Sequence, residues 1–257
     1  MKWLIRARGV SRFYTTVSGE IVHALDRVDL DVADAEFVCL VGPSGCGKST
    51  FRRLVAGLDP CDGGHLTLAD SAVTGPSSDV GVVFQTANLL PWFTVMANVK
   101  LPMRVGAGRR GPADTRHVQE LLTIAGIAEF ANKYPYELSG GMQQRAAIVR
   151  ALARDPKVLL MDEPFGALDA LTRERLNLEL LRIWQASWKT ILLITHSISE
   201  SVFLADRVLV MSARPGRILR EIPIPLPRPR TLEETPAHPD YVRLMTEIRD
   251  LLYGEAP

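Results

Sequence analysis

One stretch near the start of the chain has the residue types and spacing to hold a polyphosphate. Gly42-Pro43-Ser44-Gly45-Cys46-Gly47-Lys48-Ser49-Thr50 fits the pattern G-x-x-x-x-G-K-[ST]. The glycines let the backbone curl so that its N–H groups point inward, and a helix starting at Lys48 adds its positive end. Lys48 supplies a point charge for the β- and γ-phosphates. The Ser49 hydroxyl is placed to ligate Mg²⁺, and Thr50 adds a phosphate contact. A plain glycine turn would need neither the Lys-Ser pair nor the strand in front of it.

The elements around the loop fit that role. Phe37-Val38-Cys39-Leu40-Val41 is a short apolar run of buried-strand character, and Lys48 to Ala56 reads as a helix closed by Gly57. Three more apolar runs end in chemistry-bearing residues. Val80 to Phe84 ends in Gln85, Val158 to Met161 in Asp162-Glu163-Pro164, and Thr190 to Thr195 in His196. The C-terminal ends of buried strands are where open α/β sheets bind ligands. Gln85 suits a metal ligand or a surface amide equally well. Adjacent carboxylates on a strand end point in different directions, so Asp162 and Glu163 suit two separate roles, metal holding and polarising a water. A second helix start of anion-binding type lies at Leu138-Ser139-Gly140-Gly141-Met142-Gln143, with Ser139 as N-cap. The first loop already has a full ligand set, so this second site makes sense if two chains share nucleotides.

The chain has 257 residues, 47% hydrophobic and 23% charged, with a net charge of +1. That supports a large core and gives no electrostatic footprint for nucleic acid. No apolar run is long enough to span a bilayer and no secretory signal stands at the start, so a cytoplasmic chain with any membrane role supplied by a partner is expected. The cysteines, Cys39, Cys46 and Cys61, show no metal spacing. Cys46, in the phosphate loop, is expected to be open to thiol reagents.

Further expectations follow from pattern. Residues 3–10 read as a strand and residues 21–32 as one or two more. Phe13-Tyr14 suits base stacking or core packing. Gly63 to Leu68 reads as an edge strand. Thr86 to Val99 reads as an exposed loop whose apolar load, Leu89 to Val95, suggests a protein partner. Residues 114–125 read as a helix with Asp114 as cap. Ser197 and Glu200 form a capping box for a helix after His196. The prolines at 223, 225, 227 and 229 predict an extended linker, followed by a helix over 240–252 that packs on the domain.

Together these motifs resemble the ATP-binding subunits of ABC transporters over nearly the whole length. The Leu138-Ser139-Gly140-Gly141 signature is far more specific than a phosphate loop alone. The resemblance implies an α/β fold: a P-loop NTPase core with a RecA-like mixed sheet, an antiparallel β subdomain and a helical signature subdomain. It implies an ATPase domain over 1–230, its helical part at about 86–157, and a C-terminal helical extension over 231–257. Carried over residue by residue, Tyr14 is the aromatic that stacks on adenine. Residues 42–50 bind ATP, and Ser49, Gln85 and Asp162 hold Mg²⁺. Glu163, His196 and Gln85 are catalytic, with Glu163 the general base. Leu138, Ser139, Gly140, Gly141 and Gln143 act on the nucleotide of a second chain, and Asp169 is the D-loop aspartate. The one departure is Ala35-Glu36, where many members have glycine before the glutamate; it puts a turn geometry in question.

A narrower resemblance rests on Leu90-Pro91-Trp92, Glu163 to Arg173 and Val208 to Gly216, which look like the nitrate, sulfonate and taurine import group. It implies a homodimer at the cytoplasmic face of the inner membrane, bound to membrane-embedded permease subunits and served indirectly by a periplasmic solute-binding protein, with no nucleic acid. A soluble repair or translation ATPase is disfavoured by the single compact ATPase domain, and a non-hydrolysing subunit by intact Glu163 and His196.

Overall fold

The structure is a computed structural model that describes residues 2–104, 112–166 and 168–254. The chain falls into two compact units, one built from residues up to 77 with those from 190 onward, the other from residues 78–189.

The first unit opens on a long antiparallel pair, β1 (Trp3–Thr15) and β2 (Ile21–Ala33), joined by a turn through Gly19. Several register shifts interrupt the pairing. Such bulges break the period-two alternation of side chains, which is why the first strand runs past the expected limit at residue 10. Next come β3 (Phe37–Val41), α1 (Lys48–Val55), β4 (Gly63–Leu68) and the two-residue β5 (Ser71–Ala72). The antiparallel sheet is ordered β2-β1-β4-β5, so β4 is flanked on both sides and is not the edge strand expected.

The second unit holds two parallel strands, β6 (Val80–Val83) and β7 (Val158–Asp162), in register from Val80↔Val158 to Val83↔Met161. Its helices are α2 (Val95–Arg104), α3 (Pro112–Ile124), α4 (Gly140–Leu152) and α5 (Ala170–Ser187). Helix α2 corrects the expectation of a loop from 86 to 99. Thr94 caps it, accepting the Ala97 N–H at 3.3 Å, and Val95 and Val99 are buried. Helix α3 begins at Pro112, the proline-first start that suits a helix N-terminus. Asp114 therefore lies within the helix and is not its cap; its side chain lies outside the described residues.

Back in the first unit, β8 (Thr190–Ile194), α6 (Ile198–Leu204), β9 (Arg207–Met211), β10 (Ile218–Pro223), α7 (Glu234–Ala237) and α8 (Pro239–Tyr253) complete the chain. Here β3 pairs in parallel with both β8 and β9, and β10 pairs antiparallel with β9. Every residue of β3 and β8 is buried, the unbroken apolar pattern of a parallel strand covered on both faces. The proline-rich stretch after β10 forms no helix or strand, and Ile224 and Leu226 in it are buried, so it is packed chain where a linker was expected. Helix α8 packs on α6 and β9, and the Tyr241 hydroxyl donates to Ser199 O at 3.2 Å.

Parallel pairing delivers the chemistry-bearing residues to strand ends. In the first unit β9, β3 and β8 run together, so the 212–217 turn, the phosphate loop and His196 leave the carboxyl edge of neighbouring strands. In the second unit β6 and β7 do the same for Gln85 and the Asp162-Glu163 pair.

Candidate active site: two strand-end constellations

The phosphate loop is held by backbone. Gly45 and Gly47 adopt φ of 74° and 106°, left-handed values that favour glycine. A side chain on Gly47 would start 2.7 Å from Leu25 Cδ2 and 2.8 Å from Ala24 O. Lys48 is buried, and its ammonium donates to Gly42 O at 2.8 Å and Pro43 O at 2.9 Å. Gly47 gives α1 no side-chain cap, so the amide donors of its first turn face the loop interior, the arrangement that takes an anion. Cys46 is 1% exposed, with its sulfur 3.7 Å from Lys48 Nζ, which corrects the expectation of a thiol open to reagents. Ser44, Gly45 and Ser49 are exposed; Pro43 and Thr50 are half-buried.

Tyr14 is half-buried. Its hydroxyl donates to Asp59 Oδ2 at 2.9 Å, and the Arg12 guanidinium lies 4.8 Å over its ring. Hydrogen bonds from Arg53, and then from Tyr14, hold the Asp59 carboxyl down to about 2 against the cost of burial. Phe13 faces elsewhere and stacks on His23 with ring centroids 4.2 Å apart. His196 is exposed, one residue beyond the buried Thr195, whose hydroxyl accepts the Ser197 N–H at 3.0 Å. Ser197 in turn caps α6, accepting from Glu200 N at 3.2 Å, while its own N–H goes to Thr195, so only the serine half of the expected capping box is made.

In the second unit Gln85 and Glu163 converge. A Cβ built on Gly166 would stand 3.2 Å from Gln85 Nε2 and 3.3 Å from Glu163 Oε2, so the amide and the carboxylate share the space above that glycine. Glu163 has φ 45°, a left-handed conformation costly for a side chain of this size, and such strain concentrates at functional positions. Asp162 closes β7, half-buried. Ala167 lies outside the described residues.

The signature and the D-loop form one packed piece. Ser139 caps α4, accepting from Met142 N at 3.4 Å. Gln143 Nε2 donates to Pro135 O and Leu138 O, fixing the approach to that cap. A Cβ on Gly140 would meet Leu168 Cδ2 at 3.3 Å, and Gly141 lies against Thr172 and Leu176 of α5. Asp169 caps α5 through Thr172 N at 2.9 Å, and that backbone hydrogen bond holds its carboxyl below the usual range.

Sequence reasoning missed the residues that brace this constellation. Asn98, fully buried, accepts from Leu90 N at 2.7 Å and donates toward the carbonyls of Leu90, Phe93 and Thr94, shaping the loop that presents Trp92, which is 66% exposed. Arg150 donates to Ala87 O and Asn88 O, and Gln144 to Phe84 O, so the signature helix grips both sides of Gln85. An arginine and a glutamine at α4 positions where a helix face turns inward are the only signals the sequence carries for these bonds.

Of the residues expected to hold magnesium, Ser49 lies exposed in the first unit, while Gln85 follows β6 and Asp162 closes β7 in the second; they carry a hydroxyl, an amide oxygen and a carboxylate. All are hard oxygen ligands, the chemistry Mg²⁺ takes when phosphate oxygens and waters complete its shell. Among the described residues no cluster of three or more His, Cys, Asp or Glu could hold a metal unaided.

Residues 25–166 match the family model described as ABC transporter. The chain is 45% identical to the taurine import ATP-binding protein TauB of Rhizobium johnstonii, over 98% of this chain and 97% of that one. It is also 45% identical to the nitrate import ATP-binding protein NrtD of Synechocystis, over 95% and 93%. Among solved structures, the dimeric bacterial ABC transporter cassette MJ0796 aligns with a TM-score of 0.73 at 33% identity, covering 86% of this chain and 99% of that one. The same cassette has been solved as a post-hydrolysis dimer bound to ADP and Pi. The chain therefore belongs to the ABC transporter family, with the cassette fold of an antiparallel β layer and a mixed sheet flanked by helices. It is an ABC ATPase, similar over nearly its full length to cassettes of taurine and nitrate importers. No helix among the described residues is long and apolar enough to cross a membrane.

Proposed function

We propose that this chain is the ATP-hydrolysing subunit of an importer for a small solute of the taurine, sulfonate or nitrate kind, working through a separate permease at the cytoplasmic face of the membrane. Two copies associate head to tail, each presenting its Ser139-Gly140-Gly141 helix start to the nucleotide held by the other's phosphate loop. The loop and Lys48 bind the phosphates, and Tyr14 offers a ring to adenine. Glu163 takes the proton of the attacking water, Gln85 helps to place that water, and His196 contacts the γ-phosphate. Ser49, Gln85 and Asp162 would hold Mg²⁺, which neutralises phosphate charge when bound. Catalysis of this kind is mainly positioning and charge neutralisation. The segment from Leu89 to Val95, with Trp92 exposed and its backbone fixed by Asn98, docks a permease helix.

The observation that carries the catalytic reading is the convergence of Glu163 and Gln85 over Gly166, with Glu163 held at φ 45°. Replacing Glu163 by Gln keeps the shape and removes the base, and a general base contributes about 10²–10⁴-fold. Hydrolysis by Glu163→Gln is expected to fall by that order while ATP affinity stays within about threefold; wild-type turnover would remove Glu163 from the role. For the transport reading, the purified complex with its permease, assembled in vesicles, is expected to accumulate radiolabelled taurine or nitrate only with ATP. A Trp92→Asp complex should still bind ATP but fail to accumulate solute.

A further inference from the structure

We propose that Arg214 is a nucleotide-binding residue: the turn after β9 sets its guanidinium on the tip of the phosphate loop, where it meets the polyphosphate. The proposal rests on the reading of that loop as the ATP site. The turn is fastened to the loop's surroundings on both sides. Gly216 N donates to Ala24 O and Asp26 N donates to Gly216 O, both at 3.0 Å, while Cβ of Met211 lies 3.0 Å from where a Gly42 side chain would begin. Ser212 Oγ stiffens the turn from within, accepting the Arg217 N–H at 2.9 Å. From this mount Arg214 Nε donates to Gly45 O at 3.2 Å, and its Nη2 lies 3.4 Å from where a Gly45 Cβ would stand.

Charge separates Arg214 from its neighbours. Arg53 pairs with Asp59 at 2.7 Å, Arg12 with Asp62 at 2.8 Å, and Arg217 with Asp26. Arg214 pairs with no carboxylate, and its two Nη groups donate to no other group among the described residues. A single bond to a neutral carbonyl returns little for fixing a long side chain. An anion in the loop supplies what is missing, because guanidinium donors match phosphate oxygens in a planar fork. The sequence hid this role, since Arg214 lies far along the chain from the glycine-rich motif and belongs to no phosphate-binding pattern.

The test is titration of a fluorescent ATP analogue into the full chain as wild type, Arg214→Ala, Arg214→Lys and Lys48→Ala. Arg214→Ala is expected to weaken binding about tenfold, and Arg214→Lys, which keeps the charge but loses the planar fork, to bind about three- to fourfold better than Arg214→Ala and more weakly than wild type. The gap between wild type and Arg214→Ala should narrow as salt rises from about 0.05 M to about 0.5 M, because an exposed charge contact is screened. In ATPase assays Arg214→Ala should raise KM and leave kcat within about twofold. If the turn only braces the loop, Arg214→Lys will bind as poorly as Arg214→Ala at every salt concentration, and the proposal fails. It fails also if Arg214→Ala binds like wild type while Lys48→Ala does not, an outcome that leaves the loop reading intact. Wild-type binding by Lys48→Ala would instead overturn the loop reading itself.

Discussion

The phosphate loop and the signature segment are both glycine-rich helix starts, but they are built differently. Around the loop the close neighbours of the glycines include backbone. A Cβ on Gly47 would meet Ala24 O at 2.8 Å, and one on Gly216, in the turn that braces the loop, would meet Cys46 O at 2.1 Å. Around the signature the neighbours are the flexible ends of side chains, Leu168 for Gly140 and Leu176 with Thr172 for Gly141. Backbone cannot step aside without moving a strand, whereas a leucine methyl can. The first site is therefore a rigid cradle. In the second, Gly141 is buried against α5 while Gly140 is exposed, and the neighbours of both are side chains that can yield.

That contrast can be broken at several points. The largest effect is expected from Gly216→Ala, which lies outside the glycine motif. Forcing a Cβ against Cys46 O should cost about 1–3 kcal/mol of stability, as overpacking does, and weaken ATP binding at least about tenfold; thermal melts and nucleotide titration check both. Gly140→Ala should behave in the opposite way. It should change stability by less than about 1 kcal/mol, since alanine is a better helix former and Leu168 can yield, yet depress ATPase activity about tenfold or more. A Gly140→Ala protein that unfolds would put both sites in the same rigid class.

A smaller effect comes from the charges behind Tyr14. Asp59 titrates near 2 in the folded chain, below its ordinary 3.8, so its ionised form stabilises the fold above about pH 4. That contribution should fade as pH falls from about 4 towards 2. Asp59→Asn should remove this acid-limb dependence from the stability profile, and an unchanged acid limb would show that Asp59 is not anchored as described. The smallest effect is at Ala35, which holds φ 60° in the turn before β3. Ala35→Gly should relieve that strain and raise stability by about 0.5–1 kcal/mol, and a loss of stability would contradict it.

The sequence exposed the rigid site more fully than the other. Glycines at fixed offsets, a lysine-serine pair and a five-residue apolar strand are local signals, so the loop, α1 and β3 were legible from spacing alone. Even the strained turn left a mark, because Ala35 stands where the family resemblance puts glycine. The bracing of the second site is not local. Arg150 reaches the carbonyls of Ala87 and Asn88, and Gln144 that of Phe84, about sixty residues away in the chain. No periodicity records a side chain donating to distant backbone. Helix α2 was hidden for a related reason: the aromatic load and Pro91 of the preceding loop masked Thr94 as a cap, and buried Asn98 reads in sequence as a polar loop residue.

The head-to-tail dimer is the claim on which the roles of both sites depend. The most direct test is the size of purified Glu163→Gln protein by light scattering after gel filtration, once with Mg-ATP and once with ADP. The account predicts a dimer with ATP and a monomer with ADP, and a dimer that Ser139→Arg abolishes. A Glu163→Gln dimer that forms equally with ADP, or survives Ser139→Arg, would contradict a nucleotide shared between phosphate loop and signature.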